Sequence, residues 1–266
     1  MHPLDILRRL LRLAPAQRPE PDRPLYLVGD IHGRADLLSR LFDLIDADQA
    51  ASGHEHPLAV FVGDYIDRGP DSRRVLELLA RLDTSLAADP EAEGEMLCLM
   101  GNHERMLLDF LDDPLLSGPR WLRNGGVQTL ESFGLEGVPE DAGAEVLEAA
   151  RDALAEALEA GRPEGLEAWL RARPLIAQCG NVAIVHAAAD PEQPIDAQVA
   201  GTLLWGHPEF LARPRGDGLW VAHGHTIVKR PSARSGRIAL DTGAWATDRL
   251  TAAILAPGEP VRFLST

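Results

Sequence analysis

Four short runs in the sequence carry side chains able to do chemistry: Gly29-Asp30-Ile31-His32-Gly33, Gly63-Asp64-Tyr65-Ile66-Asp67-Arg68-Gly69, Gly101-Asn102-His103-Glu104 and Gly224-His225-Thr226. His186 joins them by its place after the apolar run Val182 to Val185. Asp30, His32, Asp64, Asn102, His186 and His225 offer carboxylate, amide oxygen and imidazole nitrogen, donors suited to hard-to-borderline divalent cations. Six such groups exceed the needs of one catalytic zinc site. They suit two cations sharing a carboxylate, and a pair about 3.5–4 Å apart is the clamp used for in-line displacement at phosphorus. The nucleophile expected there is a bridging hydroxide, because the cations lower the pKa of water. The spacing Asp-x-His puts two ligating side chains on one side of an extended segment. Asn102 adds a neutral oxygen and limits the negative charge. His103, next in sequence, can project toward a leaving group as general acid. Asp67 could hold its ring and raise its pKa, and Arg68 can fork onto two phosphate oxygens.

Taken singly, each piece is ordinary. A Gly-Asp after a strand is common, a strand-end histidine is more often structural than a ligand, and Asp-Arg-Gly is often a salt-bridged turn. The weight lies in four such runs in this order, each at the end of a predicted strand. His54 and His56 lie in a polar turn with Gly53 and Pro57 and read as solvated.

The elements that must position these groups follow from periodicity. Leu25 to Gly29, Leu58 to Val62 and Met96 to Met100 read as strands. Leu37, Leu38, Leu41, Leu44 and Ile45 give residues 35–50 helical spacing. Further helices are expected over 72–82, with Asp71 or Ser72 as cap, and over 105–111. Strand, acidic loop and helix in repetition indicate an α/β sheet, whose ligands gather at the carboxyl ends of the strands. Short strand signals return at 182–185, 219–222 and 237–240, the last leading into Asp241-Thr242-Gly243, and 250–255 with 261–264 suits a closing hairpin. From Asp112 to Arg173 the character changes. Prolines and glycines surround Trp121 to Gly126, and 144–160 reads as an amphipathic helix through Val146, Leu147, Ala150, Leu154 and Leu158. Residues 112–173 are expected to form a mostly helical insertion capping one side of the site.

The 266 residues suffice for one large domain, and a hydrophobic share of 45% permits a sizeable core. A formal charge of −15 excludes a broad electrostatic nucleic-acid surface. The two cysteines, Cys98 and Cys179, each within an apolar run, fit a reducing compartment better than a disulfide framework. Arg8, Arg9 and Arg12 interrupt any apolar signal-peptide core, while Leu4, Leu7 and Leu11 suit one face of a short helix. Residues 1–24 are therefore expected as a helix and proline-rich linker, and 25–266 as the main domain. No apolar run approaches membrane-spanning length, and the protein is expected to be cytoplasmic.

The four runs resemble those of the calcineurin-like metallophosphoesterase superfamily, and within it the phosphoprotein phosphatase group of bacterial and phage-lambda type. Trp121 to Gly126 and Asp241-Thr242-Gly243 extend the likeness, which spans about residues 25 to 256. The resemblance implies a four-layer α/β sandwich, two mixed sheets between helices. It assigns Asp30, His32 and Asp64 to one metal and Asp64, Asn102, His186 and His225 to the other. It makes His103, paired with Asp67, the acid and Arg68 a phosphate clamp. Manganese is the usual activating metal, with iron or zinc as alternatives. The implied activity is hydrolysis of phosphoserine and phosphothreonine, so the expected partner is a phosphorylated protein or small phosphorylated substrate, without nucleic acid or membrane. The sequence departs from the pattern at Trp205-Gly206-His207-Pro208, where His207 stands in place of a second phosphate-binding arginine. An imidazole is a shorter and only partly charged clamp. The Gly-His-Thr context favours His225 over His223 as ligand, with His223 supporting it. A symmetrical diadenosine tetraphosphate hydrolase shares the metal motifs and is the rival; Tyr65 and Asp67 lean toward the protein phosphatase. A catalytically weak phospho-ligand sensor is a third reading, supported by the missing arginine.

Overall fold

The computed structural model describes residues 18–89, 91–92, 94–160 and 165–266. The expected N-terminal helix lies outside the described residues. Among the described residues, ten strands form two five-stranded sheets. In the first, β1 (Leu25–Val28) runs parallel to β2 (Leu58–Phe61), and β2 parallel to β3 (Glu95–Cys98). Their carboxyl ends, and so the loops that carry the first three runs, share one edge. In the second, β4 (Ile176–Cys179) is antiparallel to β5 (Val182–Val185), which runs parallel to β6 (Trp220–His223). Beyond β6 lie β7 (Ser232–Arg234) and β8 (Arg237–Ala239), of which β8 is the parallel neighbour of β6. The hairpin of β9 (Thr251–Leu255) and β10 (Arg262–Ser265) closes the first sheet against β1.

Strand alternation sorts the apolar residues into layers. Leu25 and Leu27 of β1, with Val60 and Val62, face Val182, Ile184, Trp220, Ala222 and Ile238 of the other sheet. Tyr26, Val28 and Phe61 point the opposite way, toward the helices. There lie α1 (Ala35–Ser52), α2 (Ser72–Ala88) and α3 (Asn102–Asp112). Further helices follow, three of them short: α4 (Pro114–Trp121), α5 (Val127–Ser132) and α7 (Leu166–Arg171), with the longer α6 (Ala144–Glu159) between α5 and α7. The far face of the second sheet is covered by Leu203 of α8 (Ala200–Trp205) and by Phe210, against Val185 and Val221. A final short helix, α9 (Ala244–Thr247), precedes β9. The result is the expected sandwich of two mixed sheets flanked by helices.

Several local expectations are corrected. Helix α3 begins at Asn102 rather than Arg105, so Asn102 and His103 sit in its first turn. Asp71 takes the capping position of α2 but makes no side-chain cap bond, and the Ser72 hydroxyl accepts the N–H of Asp67 instead. In α6, Leu147, Ala150, Leu154 and Leu158 are buried as predicted, whereas Val146 is exposed, because it lies about 100° around the helix from Leu147. Strands β4 and β7 are additional.

Candidate active site

The predicted residues converge where the carboxyl ends of both sheets meet. Asp30 and His32 follow β1, Asp64, Asp67 and Arg68 follow β2, and Asn102 and His103 follow β3. His186 follows β5 and His225 follows β6. The turns that deliver them are strained. Of the eight non-glycine residues at positive φ among the described residues, five are His32, Asp64, Asp67, Arg68 and His225. Each left-handed residue costs roughly 1–2 kcal/mol, so the surroundings must hold them there. The Glu104 carboxylate does much of this: it accepts the N–H groups of Asp64 (2.8 Å), Tyr65 (2.7 Å) and Gly101 (2.9 Å). The Asp64 carbonyl in turn accepts the N–H groups of Ile31 and His32. Gly224 must be glycine, because a Cβ there would lie 1.9 Å from Asp30 Oδ1.

Asp64 stands at the centre. Its Oδ2 lies 3.6 Å from His32 Nε2, and its Oδ1 lies 3.4 Å from His186 Nε2. Each oxygen thus faces a different imidazole, the geometry of a carboxylate shared between two positions. His32 Nδ1 donates to the Ile66 carbonyl (2.8 Å) and His186 Nδ1 to the Val62 carbonyl (3.1 Å). Both neutral rings therefore turn a bare Nε2 lone pair toward Asp64. Burial pulls His32 down to about 3 and His186 to about 4, which keeps them unprotonated. His225 completes the group with Asp64 and His186, and Asn102 Oδ1 lies 2.8 Å from His186 Nε2. Burial also disfavours charge on Asp64, but the imidazoles of His186, His103 and His32 more than reverse this and hold its pKa low.

Imidazole lone pairs and carboxylates converging in this way fit divalent cations. The surrounding charge agrees. Burial, then Asp241 and Asp64, push Asp30 well above the usual carboxylate range, and burial raises Asp241 to about 6. Buried carboxylates that repel one another in this way are relieved by a bound cation. Asp30 does not join either three-residue cluster; its carboxylate accepts the His225 N–H at 3.0 Å.

His103 forms the second part of the site. Its Nδ1 lies 2.6 Å from Asp67 Oδ2. Asp67 is fully buried and also receives Trp121 Nε1–H and the Thr129 hydroxyl. Burial alone would lower the His103 pKa, but the carboxylates of Asp64 and Asp67 outweigh it and raise the value. His103 Nε2 lies 3.9 Å from Asp64 Oδ2, so spacing alone would also admit it as a ligand beside His32. Its raised proton affinity, against the lowered values of His32 and His186, sets it apart. The terminal nitrogens of Arg68 stand 3.0 Å from His32 Nε2 and 3.1 Å from His103 Nε2.

Two predicted residues are placed elsewhere. His207 faces Asp190, with Nε2 3.8 Å from its carboxylate, and does not line the cleft beside Arg68. His223 turns its ring onto Phe210 and away from the clustered groups, because it shares a strand face with Val221. Tyr65 is fully buried, and its hydroxyl donates to the carbonyls of Phe61 and Leu99, so it does not read substrate. Glu104, Asp241, Trp121 and Thr129 have roles in the folded chain that the sequence analysis does not assign. Glu104 had a signal, a glutamate at the third helical position after Gly101. Asp241 also had one, its place after a predicted strand. Nothing in the spacing ties Trp121 or Thr129 to Asp67.

The calcineurin-like phosphoesterase model matches residues 23–229. The chain belongs to the calcineurin-like phosphoesterase family. Among curated relatives of this chain, serine/threonine-protein phosphatase 1 of Salmonella typhimurium is 36% identical over 104 residues, 39% of each chain. The symmetrical bis(5'-nucleosyl)-tetraphosphatase of Methylococcus capsulatus is 29% identical over 168 residues, covering 63% of this chain and 44% of the relative. The chain thus spans less than half the length of these two relatives. A crystal structure of a candidate diadenosine tetraphosphatase superposes with a TM-score of 0.59 at 22% identity, covering 92% of this chain and 95% of that one. This last likeness shows the fold.

Proposed function

We propose that the protein is a two-metal phosphomonoesterase, and that phosphoserine and phosphothreonine in proteins are its substrates. The observation that carries this is Asp64 set between His32 and His186, with His103 held by Asp67 beside it. Asp30, His32, Asp64, Asn102, His186 and His225 would hold the metals, with manganese as the first candidate pair. When bound, such a pair supplies Lewis acidity and a water of lowered pKa. The chain's own residues do the rest. Arg68 binds and orients the phosphoryl oxygens by its planar fork. His103 carries a proton at Nε2 and gives it to the departing oxygen. Asp67 fixes the ring and stabilises its charge, while Trp121 and Thr129 fix Asp67. The serine/threonine phosphatase relative supports the protein-substrate reading. Two buried free cysteines, Cys98 and Cys179, support a reducing, cytoplasmic setting.

A second reading is a symmetrical dinucleoside tetraphosphate hydrolase. It is supported by the tetraphosphatase relatives and by Trp245, a half-exposed ring at the mouth of the site on which a base can stack. Metal-loaded protein assayed on a phosphoserine peptide and on diadenosine tetraphosphate separates the two. Peptide turnover at least about tenfold more efficient supports the first reading. The reverse preference replaces it with the second.

A further inference from the structure

Beyond the metal-ligand cluster the site opens into a cleft of about 690 Å³, whose lining includes Arg68, Arg123, Glu140, His225, Ile227 and Trp245. His225 ties this cleft to the cluster. Arg123 stands on a five-residue π-type turn, Leu122–Gly126, packed directly on Arg68. The Gly125 carbonyl accepts the Arg68 N–H at 3.3 Å. Gly125 sits at φ 106°, and a Cβ there would lie 2.5 Å from the Arg68 nitrogen, so no other residue lets the two segments meet. The turn is tied from its other end by Trp121 bonded to Asp67, and Asn124 Nδ2 donates to the Arg120 carbonyl at 2.8 Å. The backbone carrying Arg123 is therefore built into the frame that positions Arg68 and His103.

The Arg123 side chain is exposed and has no hydrogen bond or ion pair among the described residues. Glu140, the one carboxylate of the cleft lining, is not within ion-pair distance of it. The other arginine of the cleft lining is engaged. Arg68 faces His32 and His103, and its guanidinium also lies 5.2 Å from the Trp245 ring centroid. A phosphate monoester carries two negative charges, and on the open side of the cleft Arg123 offers it an unpaired guanidinium. Bidentate guanidinium contacts are the side-chain device best matched to such a group.

We propose that Arg123 is the second phosphate-binding cation of this site, gripping the phosphoryl group from the open side of the cleft while Arg68 grips it from the side of the cluster. The inference rests on the phosphoesterase reading above. Arg123 holds ground state and transition state alike, so its loss acts on KM more than on kcat.

The test is the affinity of metal-loaded protein for inorganic phosphate, measured by calorimetry, with metal content and p-nitrophenyl phosphate kinetics on the same samples. Arg123→Ala weakens phosphate binding roughly tenfold or more and raises KM in step, with kcat within about threefold of the parent. Arg123→Lys restores part of the affinity. His207→Ala leaves binding within about twofold. If the parent protein hydrolyses the ester and Arg123→Ala binds phosphate within about twofold of it, the assignment of Arg123 is wrong and the phosphoesterase reading stands. If the parent protein with metal bound neither holds phosphate nor hydrolyses the ester, both fall together.

Discussion

At the scale of single residues, the site separates histidines by what lies on their far nitrogens. His32 and His186 donate Nδ1–H to main-chain carbonyls and stay neutral, whereas His103 faces the Asp67 carboxylate, which raises its proton affinity. The His103→Ala protein should keep its full metal content and lose roughly a hundredfold or more in kcat on alkyl phosphates, with a smaller loss on p-nitrophenyl phosphate, whose leaving group needs little protonation. Loss of metal from this variant, read by elemental analysis, would show His103 to be a ligand instead. Asp64→Ala should lose at least one metal, because both clusters share this carboxylate. Retention of two would remove its bridging role. The proposed ligands and acid were legible in the sequence, since all but His186 lie within short glycine-flanked runs at strand ends and His186 directly follows an apolar run. The supports of the acid were not. Trp121 and Thr129 reach Asp67 across 54 and 62 residues, and only the folded chain brings them there.

At the scale of elements, the parallel order β1-β2-β3 brings three loops to one edge, and Glu104 joins two of them. Its carboxylate serves three backbone N–H groups, from Asp64, Tyr65 and Gly101. In Glu104→Gln one oxygen becomes a donor, so at least one buried N–H loses its acceptor at a cost of about 1–3 kcal/mol. Thermal unfolding should show a clear fall in Tm, together with weaker metal retention. An unchanged Tm would mean the two loops are held by other contacts. The strands that deliver these groups were readable because each is an apolar run followed by a polar side chain, after a glycine in every case but that of His186. Strands β4 and β7 were not: β7 has three residues and lies at a sheet edge, and β4 carries Gln178 and mixed exposure. The setting of His207 was not legible either. Its position was taken from a motif, and in the folded chain it pairs with Asp190.

At the scale of the whole molecule, the two sheets meet through an apolar interface, and the cluster sits at the rim where their carboxyl ends converge. The site therefore belongs to both halves: Asp64 comes from one sheet and His186 and His225 from the other. Metal binding should stiffen the junction and stabilise the entire fold by mass action, by about 2.7 kcal/mol at one hundred times Kd. Calorimetric Tm should rise with manganese concentration, and a Tm indifferent to manganese would mean that the cluster does not bind it. The layered architecture was foreseen from the resemblance of the four runs, whereas the partition of apolar residues between the inter-sheet core and the helical face follows from strand register. The central claim is a pair of divalent ions shared by Asp64. Its most direct test is the turnover of p-nitrophenyl phosphate as manganese is titrated into metal-stripped protein. Turnover should climb from near zero and reach its plateau at two ions per chain, whereas saturation at one ion, or hydrolysis without added metal, would contradict it.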